Sequence, residues 1–366
     1  MTFTANGEHL LSGGLYESIG MWRVQDGRRM TMIGAFEIFR CLAVSKNNNW
    51  IAAGTSLMMG KVTVWDAKTH ETVWQQEVDH SKDVQGVDFS PDSTKLVSAS
   101  QNGTATIWSV ANGEKVQVLQ HESHVDVIAA RYSLDGDRIA TATRGSSVQV
   151  WDSANGQLLV VIPVTVTPSF NNGLRWFNDH LLVVSDKRFK QLDASTGSIV
   201  SEWSVPGSDI FSCIALPTHG KFIAYSANRT VTLWDPLTHS QLGLIEHSED
   251  VYSVALSSDD DLLAIGGKYG KIVIESLSRF TVRIIYRCLM AYLNSSESDS
   301  THFSNRIRSH CLLYIPHLRN QTFRYPPLYR IQTSRYTPLY NNQTFKSTLP
   351  LSTHGKTISL KTQRRH

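Results

Sequence analysis

Between Asp79 and His121 apolar and polar residues alternate in four short runs. Val84, Val87 and Phe89 mark the first run, and Ser90-Pro91-Asp92 turns the chain. Lys95 to Ser98 alternates again before Gln101-Asn102-Gly103. Thr104 to Trp108 is the third run, Asn112-Gly113 the third turn and Lys115 to Leu119 the fourth run. A period of two puts successive side chains on opposite faces of a strand, and tight turns of this composition join neighbouring strands antiparallel. The pattern predicts a four-stranded meander. One such sheet cannot bury its own apolar face, so the unit should recur.

It recurs along most of the chain. The residue that ends the third run is Trp108, and its counterparts are Trp22, Trp65, Trp151, Leu192, Trp234 and Glu275, spaced 43, 43, 43, 41, 42 and 41 residues apart from Trp22 onward. Asp follows the marker at Asp66, Asp152, Asp193 and Asp235. A period in the low forties that closes on Trp-Asp resembles the WD40 repeat family. The resemblance covers residues 1–286 and implies an all-β fold: a seven-bladed β-propeller of four-stranded antiparallel blades, followed by a low-complexity basic tail over 287–366. The expected repeats are 1–34, 39–76, 79–119, 121–162, 166–203, 211–245 and 247–286.

The resemblance also implies a hydrogen-bonded set inside each blade: a His before the first strand, a Ser or Thr on the second, an Asp in the next turn, and the Trp. Blade three offers His80, Ser98 or Ser100 and Trp108, with Asn102 in the Asp position; blade seven keeps His247 but has Tyr269 and Glu275 at the other places. These residues are expected to hold shape, not to catalyse. Loss of the tryptophan at Glu275 predicts a loose seventh blade. The first repeat opens directly on its inner strand, so blade seven is expected to draw its outer strand from Phe280–Tyr286, and the junction of blades one and seven to be the weakest seam.

Length alone would suggest two domains at 366 residues, a reading the repeat overrides. The four cysteines, Cys41, Cys213, Cys288 and Cys311, are too scattered for a disulfide frame, and Cys41 and Cys213 fall on innermost strands as buried thiols. His121-Glu122-Ser123-His124 lacks a further fixed ligand, so no metal is expected, and no cofactor. The longest apolar run, Leu158 to Val166, is broken by Pro163 and too short to span a bilayer. No secretory pattern opens the chain, which places the protein in cytosol or nucleus as an expectation.

From Arg287 the composition changes. Residues 287–366 hold twelve Lys or Arg against Glu297 and Asp299, a balance of about +10 that leaves the propeller near −7. Arg324-Tyr-Pro-Pro-Leu-Tyr329 returns as Arg335-Tyr-Thr-Pro-Leu-Tyr340, a sign of low complexity rather than a packed domain. Three readings stay open for this tail: nucleic-acid binding through cations and stacking tyrosines, a partner-binding linear segment, or a silent extension.

Loops on a rigid frame carry function. On the face bearing the turns between second and third strands, the candidate partner-binding residues are Tyr16, Met58, Arg144, Lys187, Arg229 and Tyr269, with Arg188 and Lys268 beside them; Asp79, Glu122, Asp209, Glu249 and Asp250 lie on the links entering the blades. A basic inner cluster rimmed by acids suits an acidic or phosphorylated peptide. The leading expectation is a monomeric, non-enzymatic scaffold for other proteins. The alternatives are nucleic-acid binding by the tail and an enzyme with a channel cofactor, for which no converging set of acids or histidines recurs between blades.

Overall fold

The computed structural model describes residues 1–280 except 15–16, 57–59, 79–81, 123–124, 165, 167–172, 186–187, 205–212, 216–221, 237 and 279, together with the backbone of 358–360. Within each blade every strand pairs antiparallel with the next in sequence, and seven four-stranded blades form a propeller ring. Blade three is the meander from which the pattern was read: Val84–Phe89, Lys95–Ser100, Thr104–Ser109 and Lys115–Gln120. Blades one and two share the long strand Arg29–Val44, which pairs with Glu17–Arg23 as far as Glu37, across a bulge after Ile33, and with Trp50–Ser56 from Ile38 onward.

Two recurring turns set the register. Between first and second strands a serine hydroxyl accepts the backbone N–H five residues on: Ser45 from Trp50, Ser90 from Lys95, Ser133 from Arg138 and Ser257 from Leu262, each at 2.9 Å. Between third and fourth strands the Asp after the marker caps the turn. Asp66 Oδ1 accepts the N–H groups of Lys68 and Thr69, and Asp152 Oδ1 those of Ala154 and Asn155. Such side chains reproduce the bonding of a turn locally, so the aspartates are turn residues first. The fifth residue of that turn is left-handed, as in Gly156 (φ 72°), where a glycine costs nothing.

The cores lie between blades. Trp108 packs on the sheet of blade two with Val62, Val64 and Trp74; Trp151 packs on blade three; Trp234 packs on Leu182, Val184 and Phe189 of blade five. Each marker therefore covers the apolar face of the preceding blade. Leu192 takes that position against blade four, where Trp176 adds the missing bulk. Trp22, with Phe3 and Leu10, is buried against Ala255, Ala264, Ile272 and Ile274 of blade seven, so the seam between first and last blades is closed by side-chain packing.

One expectation for blade seven is corrected. Its outer strand is Ile358–Leu360, which pairs antiparallel with Ile272–Ile274. That strand lies inside the stretch assigned to the tail, so the last blade reaches past residue 286 in sequence. The unpaired N–H and C=O groups along Ile272–Ile274 need a strand partner, and the segment Ile-Ser-Leu has the alternation to supply one. Phe280 is helical and buried, and 281–286 lie outside the described residues. A second finding concerns the place left by Glu275. A Cβ on Gly243, in the outer strand of blade six, would collide with the Phe280 ring. A large aromatic ring thus fills the space between blades six and seven, five residues after Glu275.

Candidate functional site

Inside the blades, the tryptophan N–H finds a hydroxyl two residues beyond its cross-strand neighbour. Trp22 donates to Ser12 (2.8 Å), Trp108 to Ser98 (2.8 Å) and Trp151 to Thr141 (2.9 Å). Ser98, not Ser100, is therefore the acceptor in blade three; Ser100 turns to the Asp83 carbonyl. In blade four Thr141 also meets His121 Nε2 at 2.8 Å, and the imidazole sits edge-on to Trp151. Burial drives the His121 pKa down to about 4, so the ring is neutral. His121, read from the sequence as structural rather than a metal ligand, is the blade-four member of the set, and the signal for that role is its place twenty residues before Thr141.

Elsewhere the set is broken. In blade six the acceptor position is Tyr225, and the buried Trp234 Nε1 has no partner among the described residues. In blade seven it is Ile265, and His247 instead bonds through Nδ1 to the N–H of Glu249 in its own loop. His80 lies outside the described residues.

On the loop face, Tyr16, Met58 and Lys187 also lie outside the described residues. The charged candidates are paired locally. Arg144 Nε meets Asp126 at 2.8 Å, Arg188 meets Glu202 at 3.1 Å and Arg229 meets Asp250 at 3.5 Å. A basic cluster free to receive an acidic peptide is not what these distances describe, and exposed pairs of this kind contribute little to stability. Tyr269 differs. Its side chain is 67% exposed, while its N–H is held by Glu249 Oε2 at 2.9 Å and the Lys268 ammonium lies 5.6 Å from its ring.

The axis of the ring carries a second candidate that the loop-centred reading did not reach. A cavity of about 320 Å³ is lined at one level by one residue from each inner strand. Blades three, four and five supply Asp88, Arg131 and Arg175; blades one, two, six and seven supply Thr2, Ala43, Ala215 and Ala255. The signal was legible: the position stands two residues before the turn serine in Asp88-Phe-Ser90 and Arg131-Tyr-Ser133.

A seven-bladed β-propeller with loop-built faces and an axial cavity is the class of molecule these features define. The family model "WD domain, G-beta repeat" matches residues 73–109, 113–152 and 239–274. Each matched segment begins in or beside one blade's outer strand and ends with the third strand of the next, so a repeat straddles two blades. Over those residues the chain carries WD40 repeats, set within a seven-bladed propeller. It is 36% identical over 94 residues to human WD repeat-containing protein 90, a match spanning 24% of this chain and 5% of that protein. The fold is similar to the crystal structure of RRP9 WD40 repeats and to the structure of U3-55K. Both comparisons have a TM-score of 0.61 and 19% identity over 72% of this chain, covering 85% and 86% of the respective structures. Among the described residues no helix is long and apolar enough to cross a membrane.

Proposed function

We propose that the protein is a non-enzymatic scaffold, working in cytosol or nucleus, that docks partner proteins on the face bearing the turns between second and third strands. The observation that carries this reading is Tyr269. An exposed aromatic ring on a turn whose backbone is tied to Glu249 and Asp250 gives up little entropy on binding, and such anchors dominate interface energies. Tyr16 and Met58 stand in sequence between the second and third strands of blades one and two and are proposed as members of the same partner-binding set. The paired Arg144 and Arg229 would form its polar rim.

The test is proximity labelling in cells with the full chain and with Tyr269→Ala, alongside thermal unfolding of both. The expected result is an unchanged melting temperature and loss of a defined subset of neighbours. An unchanged neighbour set would remove the face from consideration. The basic, tyrosine-rich tail supports a second reading; salt-sensitive RNA or DNA binding that disappears when residues 287–356 are removed would favour it.

A further inference from the structure

The axial cavity is charged on one side and apolar on the other. Arg131 is buried, and its Nη1 donates to the carbonyls of Val87 (3.1 Å) and Ala130 (2.7 Å). Arg175 Nη1 donates to the Leu174 carbonyl at 3.2 Å. Among the described residues neither guanidinium has a carboxylate within ion-pair distance, and each has five N–H donors of which these bonds use only the Nη1 group. The nearby carboxylate, Asp88, accepts the Tyr132 N–H at 2.9 Å through Oδ2. Lys46, also lining the cavity, adds a third cation. Among the lining side chains, three positive groups thus accompany one negative group in a space walled elsewhere by Ala43, Ala215 and Ala255.

Holding a buried guanidinium without a counter-ion is costly, and adjacent like charges add to that cost. An anion entering the cavity would remove both terms at once. Arginine's planar donors match the oxygens of phosphate better than a point charge does, and a cavity of this volume is in the range of small-ligand sites. The alanine arc gives the rest of such a ligand an apolar wall. The pKa directions agree with the geometry: burial, and then the neighbouring Arg131 charge, hold Arg175 well below its ordinary value, while burial pushes the Asp88 carboxyl up.

We propose that the axial cavity is a binding site for a small phosphate monoester, with Arg131 and Arg175 as the phosphate ligands, Lys46 assisting, and Asp88 limiting affinity. The site is separate from the docking face and requires no partner protein.

The experiment is calorimetric titration of the full chain with phenyl phosphate, with inorganic phosphate and phenol as controls for the two halves of the ligand. Binding of phenyl phosphate tighter than either control is expected. Arg175→Gln should weaken it by about tenfold or more, and Asp88→Asn, which keeps an acceptor for the Tyr132 N–H, should tighten it by about threefold or more. Thermal unfolding of each variant separates loss of binding from loss of fold. No phenyl phosphate binding at millimolar concentration overturns the proposal, as does binding insensitive to both substitutions. If inorganic phosphate binds as well as phenyl phosphate, the apolar wall plays no part and the assignment to a monoester fails.

Discussion

At the level of single residues the protein is held by short polar chains inside otherwise apolar blades. Thr141 joins His121 to Trp151, so one hydroxyl satisfies two buried groups. Thr141→Val keeps the shape and removes the hydroxyl; it should cost roughly 2–4 kcal/mol, since an orphaned buried polar group costs about 1–3 kcal/mol. Chemical denaturation checks this, and a loss below about 0.5 kcal/mol would mean water replaces the hydroxyl. His121 adds a dependence on pH. Its folded pKa of about 4 lies below the unfolded 6.5, so the unfolded chain binds the proton more readily. Its contribution is complete above pH 6.5 and is lost as pH falls toward 4, by about 3 kcal/mol at most. The stability difference between the natural chain and His121→Gln should therefore shrink across that window, and a constant difference would show that the imidazole does not titrate on unfolding.

At the level of elements the seventh blade shows how a missing marker is replaced. Glu275 cannot cover blade six, and Phe280 does so against Gly243. Phe280→Ala should cost about 3 kcal/mol by opening a cavity at that junction, measured as a shift in denaturation midpoint; a shift near zero would place the cover elsewhere. The outer strand Ile358–Leu360 supplies the blade's last ladder. Removing residues 357–366 should speed amide exchange along Ile272–Ile274 by on the order of tenfold while blades two to four stay protected. Unchanged exchange there would mean the ladder is dispensable.

At the level of the whole molecule each core among the described residues is shared by two neighbouring blades, so opening the ring would expose the faces that meet at the break. Trp22 against Ile272 and Ile274 is the joint that turns a linear array into the ring. The axial cavity lies at the centre of this closure, touched by all seven inner strands, so a ligand there binds only the closed ring. A phosphate monoester at a hundred times its dissociation constant should raise ring stability by about 2.7 kcal/mol, readable as a higher melting temperature that Arg175→Gln abolishes.

What the sequence determined by itself was periodic: the count of blades, the strand alternation, the turn serines and aspartates, and the tryptophans at blade interfaces. These are local patterns repeated at constant spacing, and alternation and turn chemistry act over a few residues. Tertiary structure decided what depends on distance in space. It gave blade seven a strand from about eighty residues downstream, placed Phe280 where a tryptophan was missing, and paired Arg144, Arg188 and Arg229 with acids from neighbouring strands and loops. It also drew Asp88, Arg131 and Arg175 to one level around the axis. Those three are some forty residues apart in the chain, and only the closure of the ring, which turns every inner strand toward a common axis, makes them neighbours.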